Sequence, residues 1–301
     1  MASPFLTAAL DYALRHMTSS DILQRIALAV VTALIAGVVI YVAASFALMR
    51  THTTKRRTTD ALRAAFAEGM WALITQPLLP LFYFVGRRLG GGRDGVPVVM
   101  VHGYMQNRVD FVRIARSLRD AHAGPAYGFN YPWFSRVDDN AERLARFIAA
   151  VCLERGVDKV DLVCHSLGGV VATEYLRKTG GARVRKCVTI ASPHAGVAWR
   201  GPIIGACADE LRAGSDHAIA RSAHALPVPC LSIYSTHDNV VHPPATSMLA
   251  ARGGRDVVIE GHSHLAILFS REVSDAVVEF LLYPGSGGGE AVVASSASRA
   301  V

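Results

Sequence analysis

Ser166 stands in the stretch DLVCHSLGGVV, between an apolar run that reads as a strand and one that reads as a helix. Three other chemically capable positions share its setting: His102-Gly103-Tyr104 follows PVVMV, Asp238 lies in YSTHDNVV, and His264 lies in EGHSHLAILFS. A serine hydroxyl is a weak nucleophile near neutral pH, so it needs a base to take its proton and an acid to orient and stabilise that base. Serine, aspartate and histidine are therefore the side chains of nucleophilic acyl transfer. A sharp strand-to-helix turn at Ser166 would aim the Leu167 N–H at a reacting carbonyl oxygen, and the Tyr104 N–H is the natural second donor. Gly168 and Gly169 leave room for the helix to start close by.

These residues are useful only if the chain brings them together. Pro97 to Val101, Ala126 to Tyr131, Val160 to Cys164, Val184 to Ile190, Val228 to Tyr234 and Asp256 to Ile259 are apolar runs of strand length. Between and after them, helical spacing is found over Phe111 to Leu118, Asp138 to Arg155, Leu167 to Arg177 and Glu272 to Leu282. Asp138, Asp139 and Asn140 suit the N-cap of the second of these helices. Continuous apolar strands alternating with helices predict an α/β fold, a mostly parallel central sheet covered on both faces. In such sheets ligands bind at the carboxyl ends of the strands, where Ser166, Asp238, His264 and His102-Gly103-Tyr104 all fall.

Plainer roles compete at each position. Ser166 could merely cap the helix after it, and Asp238 could make an Asx-turn. His262 and His264 would share a face of an extended segment and could bind metal with His237 or His242, yet no third ligand has a recognisable spacing. The expectation is no metal and no organic cofactor. His102 and His165 read as turn or supporting residues, as do Gly103 and Gly168.

From about Pro97 to Leu282 the chain resembles the bacterial lipases of the α/β-hydrolase superfamily, and in compactness the small lipases of Bacillus that lack a large lid domain. VHGYMQN is similar to their oxyanion loop, VCHSLGG to their nucleophile elbow, ASPHAG to the strand exit that follows, YSTHDNVV to their acid loop and GHSHLAILFS to their histidine loop. The resemblance implies Ser166 as nucleophile, Asp238 as acid and His264, rather than His262, as base. Cys164 departs from the pattern, which usually has glycine there, and is expected to be buried beneath the elbow. Ala191 to Pro227, with Trp199, Pro202, Ile203, Ile204 and Leu211, is the expected cover of an acyl site. The implied activity is ester hydrolysis. A thioesterase or acyltransferase would use the same triad, and a catalytically silent binding scaffold is the reading from another class.

Composition places this domain beside a membrane. Of 301 residues 51% are hydrophobic and 18% charged, and Ile26 to Met49 contains no charge at all. As a helix it would reach roughly 36 Å, enough to cross a hydrocarbon core of about 30 Å. It is longer than a signal-peptide core and follows a segment containing Asp11 and Asp21, so an anchor is expected rather than a cleaved leader. Arg15 and Arg25 precede it while Arg50, Lys55, Arg56, Arg57 and Arg63 follow, which places the catalytic domain in the cytoplasm, at a bacterial inner membrane. Gly69 to Val85 is also uncharged but short and broken by Pro77 and Pro80, which suits an interfacial piece; if it crossed, the catalytic domain would be periplasmic.

The expected organisation is an N-terminal segment (1–25), a transmembrane helix (26–49), a basic linker with the interfacial piece (50–95), the catalytic domain (96–284) and a disordered Gly/Ser/Ala tail (285–301). The net charge of +7 is scattered rather than gathered into a basic stripe interleaved with aromatics. Lipid and acyl esters are therefore the expected partners, and nucleic acid is not. The oligomeric state is not legible. Five cysteines with no CxxC pair argue against a disulfide framework or a zinc knuckle.

Overall fold

The computed structural model describes residues 18–52, 58–79, 87–92, 94–199, 203–283 and 292–293. Among the described residues eight strands form one sheet in the order β1-β3-β2-β4-β5-β6-β7-β8. They are β1 (Arg88–Gly90), β2 (Val98–Val101), β3 (Ala126–Phe129), β4 (Val160–His165), β5 (Val184–Ile190), β6 (Cys230–Ser235), β7 (Arg255–Ile259) and β8 (Val292–Val293). β1 runs antiparallel to β3, and every other pair is parallel. Each residue of β2, β3, β4 and β6 is buried, as a sheet covered on both faces requires.

Alternate residues of one strand feed two separate cores. Val99, Val101, Leu162 and Cys164 pack with Leu144, Ile148 and Val151 of α4 (Val137–Arg155) and with Val170 and Val171 of α5 (Leu167–Thr179). On the opposite face Val98, Met100 and Val163 pack with Ile114 and Leu118 of α3 (Val112–Asp120) and with Val273 and Val277 of α8 (Arg271–Leu282). Each such fully buried aliphatic side chain contributes about 1.5–3 kcal/mol. Two short helices, α6 (Ala208–Leu211) and α7 (Asp216–Ser222), lie in the connection between β5 and β6.

Several expectations need correction. The end of the stretch read as linker, Arg88–Gly90, forms β1, paired with the edge of β3. The N-cap of α4 is Arg136 and makes no side-chain cap hydrogen bond, while Asp138 and Asp139 sit in the first turn. Asp138 instead pairs with Lys178 Nζ at 3.0 Å. Of the tail expected to be disordered, only Val292 and Val293 are among the described residues, and they add a strand beside β7.

Among the described residues, the front of the chain holds α1 (Ser19–His52) and α2 (Thr58–Thr75), followed by a 3-10 turn over Gln76–Leu78. Of the described helices, α1 is long and apolar enough to cross a membrane. Its C-terminal part is not free of protein contacts: Val38 and Met49 are buried, and Ser45 Oγ accepts a hydrogen bond from Asn239 at 2.8 Å. Of the segment read as linker and interfacial piece, Thr58–Thr75 form α2. Ala72 and Thr75 are buried, and Trp71 stacks on Phe269 at 3.6 Å with the rings 5° from parallel. Lys55, Arg56, Arg57 and the part of the Gly69 to Val85 segment from Pro80 on lie outside the described residues.

Candidate active site

β4 ends at His165 and α5 begins at Leu167, so the turn has a single residue, Ser166, in which to reverse direction. That residue takes φ +52° and ψ −124°, a conformation that L-residues rarely adopt. The glycines around it show what the turn costs. A Cβ at Gly168 would lie 2.1 Å from the Val101 carbonyl oxygen, and one at Gly169 would lie 2.1 Å from Ser192 Oγ. At Gly103 it would lie 2.8 Å from Ser166 Cβ. β2, the loop after β5 and the oxyanion-type loop thus all press against the turn. Cys164, two residues before the serine, is wholly buried in the core on the α4–α5 face, and all five cysteines are buried free thiols.

Ser166 Oγ is 2.9 Å from His264 Nε2. The other ring nitrogen, Nδ1, lies 2.9 Å from Asp238 Oδ2 and 3.1 Å from Oδ1. Three residues from the ends of β4, β6 and β7 therefore form one hydrogen-bonded chain. Asp238 Oδ1 also accepts from the Val240 and Val241 N–H groups at 2.8 and 2.7 Å, so the carboxylate makes its Asx-type turn and faces His264 at once. Burial alone would hold the His264 ring neutral; the charge and hydrogen bond of Asp238, with the charge of Glu68, outweigh it and raise the pKa above the ordinary histidine value. His262 is turned away, its Nδ1 2.8 Å from the Glu260 carbonyl.

Leu167 is the first residue of α5, where a helix supplies no partner of its own for the N–H. Tyr104 follows Gly103, whose N–H donates to Gln106 Oε1 at 2.8 Å. The Tyr104 ring stands edge-on to Trp133 at 4.5 Å, and its hydroxyl donates to the Ile204 carbonyl and accepts the Ile204 N–H. This ties the loop after β2 to the segment expected as a cover. Trp199, Ile203 and Leu211 lie in that segment as described, while Pro202 is outside the described residues. Around Tyr104 the surface is apolar: Met105 is 47% exposed, Phe134 52% and Ile204 70%.

His102 and His165, read as supporting residues, are both fully buried. His102 stacks on Tyr131 at 4.4 Å, lies 2.9 Å from the Gly103 carbonyl through Nδ1, and is pushed down to about 4 by burial. His165 lies between Gln106 Oε1 at 2.7 Å and the His264 carbonyl at 2.9 Å. Burial first, and the neighbouring His264 second, hold its pKa well below the ordinary value, and as a neutral ring it donates to one of the two. Among the described residues no group of three or more His, Cys, Asp or Glu is placed to hold a metal ion.

Three residues at this site were not picked out from the sequence. Gln106 braces Gly103 and His165, Asn239 Oδ1 accepts the His264 N–H at 2.9 Å, and Glu68 receives the N–H groups of Leu265 and Ala266. Gln106 and Asn239 each lie within three residues of a motif position. Glu68 had one available signal, a lone acid in the apolar helical run AAFAEGMWALI.

This architecture, a mostly parallel sheet with a serine elbow after a central strand, is the α/β-hydrolase fold. In sequence, the Alpha/beta hydrolase family matches residues 98–223. Among solved structures, lipase B of Aspergillus fumigatus is similar with a TM-score of 0.56 and 20% identity over 64% of this chain. The match covers 54% of that enzyme, so this chain spans about half its length. A Bacillus licheniformis lipase in its mature form is similar with a TM-score of 0.54 and 17% identity, over 64% of this chain and 94% of that one.

Proposed function

We propose that the protein is a membrane-anchored serine hydrolase that cleaves carboxylic esters through an acyl-enzyme on Ser166. The observation that carries the reading is the hydrogen-bonded chain Ser166 Oγ, His264 Nε2, His264 Nδ1, Asp238 Oδ2, held at three strand exits. His264 takes the serine proton as Oγ attacks the ester carbonyl, and the N–H groups of Tyr104 and Leu167 face the oxyanion. The imidazolium returns that proton to the departing alkoxide. Water then enters, gives a proton to His264 as it attacks the acyl carbon, and Ser166 leaves with the proton restored.

Lipid esters are the favoured substrate class, on the exposed apolar rim of Met105, Phe134 and Ile204 around Tyr104 and on the long apolar α1 in the same chain. The catalytic domain is assigned to the cytoplasmic side. Arg50 and Arg63 flank the C-terminal end of α1, and the docking of α2 through Trp71, Ala72 and Thr75 supports a single crossing.

An active-site fluorophosphonate tests the chemistry: folded protein should form an adduct at Ser166, and none would sink the hydrolase reading. Esters of graded chain length set against matched acyl thioesters then separate lipase from thioesterase. A reporter fused after Leu282 tests the side, and an external signal would refute the cytoplasmic assignment.

A further inference from the structure

A buried acid from α2 grips the loop that carries His264. Glu68 is completely buried. Its Oε2 accepts the N–H groups of Leu265 at 2.9 Å and Ala266 at 3.2 Å, the two residues directly after the histidine. Its Oε1 accepts from the Tyr41 hydroxyl of α1 at 2.8 Å and from Asn239 Nδ2 at 3.5 Å. Asn239 closes the circuit, since it follows Asp238 and its Oδ1 accepts the His264 N–H. One carboxylate thus spans the acid loop, the histidine loop, α1 and α2.

All four partners of Glu68 are donors, which suits an acceptor-only carboxylate, and all four are neutral. A buried carboxylate without a cationic partner is expensive to keep. The nearby group that becomes cationic during the reaction is His264, when the Ser166 proton arrives on Nε2.

We propose that Glu68 is a positioning residue of the reaction: it fixes the backbone after His264 so that the ring meets Asp238 and Ser166 together, and its charge favours the transient imidazolium. The inference rests on the hydrolase reading above. The titratable groups facing His264 are Asp238 from the loop after β6, Glu68 from α2 and His165 at the end of β4, 4.8 Å away between ring centroids. His165 is neutral and Asp238 is common to every variant below, so a change in titration reports on Glu68. The charge of Glu68 raises the His264 pKa, so removing it moves the acid limb of kcat/KM to lower pH.

The test uses the full chain in detergent micelles with a short p-nitrophenyl ester, comparing wild type, Glu68→Gln, Glu68→Asp and Trp71→Ala. Glu68→Gln is expected to lower kcat by about 10-fold, with KM changed by less than about 2-fold, and to shift the acid limb to lower pH. Glu68→Asp keeps the charge but falls short of the Leu265 and Ala266 N–H groups. It should lower kcat by up to about 100-fold while the acid limb moves less. Trp71→Ala loosens the same helix without touching the charge and should leave the acid limb in place.

Wild-type kcat and an unmoved acid limb in Glu68→Gln would overturn the inference, as would a loss that merely follows melting temperature alongside Trp71→Ala. Failure of both Glu68 variants to fold would also overturn it, because the group would then belong to the core rather than to the reaction. Fluorophosphonate labelling of the wild type in the same samples separates the two readings. If Ser166 labels, an unaffected Glu68 variant refutes only this inference; if it does not, both fall.

Discussion

Replacing Gly168 by alanine tests the packing behind the proposed nucleophile with one added methyl group. That methyl would lie 2.1 Å from the Val101 carbonyl oxygen, 2.6 Å from the His102 carbonyl oxygen and 2.7 Å from the Val101 carbonyl carbon. Ordinary C–H···O contacts are about 3.3 Å, so α5 would have to withdraw from β2 by roughly 1.2 Å. The obstacles are backbone atoms at the end of a buried central strand and in the residue after it, and cannot swing aside. Leu167 moves with α5 while Tyr104 stays with β2, so the separation between the two proposed oxyanion donors opens. Misplacement on that scale costs about 100-fold in rate, and overpacking costs about 1–3 kcal/mol of stability. Gly168→Ala should therefore lower kcat/KM on a short ester by about 100-fold and lower the melting temperature, both measured on the full chain in detergent. A variant with unchanged melting and activity within about 3-fold, under 1 kcal/mol, would refute the argument that the elbow is closed by backbone contact.

Cys164→Gly makes the opposite change and should keep activity within about 3-fold, because the thiol lies in the core beneath the elbow; thermal melting should show a loss of about 1–2 kcal/mol. His264→Ala should lower kcat by about 10³-fold or more, and His262→Ala should leave it near wild type. The acid limb of kcat/KM should lie above the ordinary histidine value of about 6.5, since the base must be neutral to accept the Ser166 proton and Asp238 with Glu68 favours its charged form. Asp238→Asn removes the carboxylate in direct contact with the ring, so whatever activity remains should have its acid limb at lower pH; a pH-rate profile reads this directly.

The strands from β2 to β7 were the legible part of this sequence, because a largely apolar run of strand length needs no partner to be recognised. Val184 to Ile190 is a strand over the expected residues, and the other five expected runs each hold a strand with ends shifted by two residues or fewer. β1 was illegible for a physical reason: three residues, Arg88, Leu89 and Gly90, have no pattern of their own and become a strand only through the open edge of β3. The α4 cap failed similarly, since the acids suited to cap it were drawn into the first turn and one of them to Lys178. Ser166, Asp238 and His264 could be placed at strand exits from their motifs. Their supports could not, because Glu68 lies 196 residues from His264 along the chain, and only folding shows what its carboxylate meets.

The way α1 is used limits how far the proposed catalytic domain could reach. From Ser19 to Gly37 no residue is buried, whereas Val38 and Met49 are, and Tyr41 and Ser45 hydrogen-bond to Glu68 and Asn239. The uncharged part of that stretch, from Ile26 to Gly37, is about 18 Å long, short of one hydrocarbon thickness of about 30 Å, so a bilayer crossed by α1 would have to reach the part of the helix that docks on the domain. A bilayer engaged by that stretch would leave no slack between lipid and enzyme: the domain would ride on a stiff post at fixed height, not on a leash. On the proposed function, such a post would scan the plane of its own membrane and meet esters that diffuse past its foot. Esters carried on a separate vesicle would have to be brought to it.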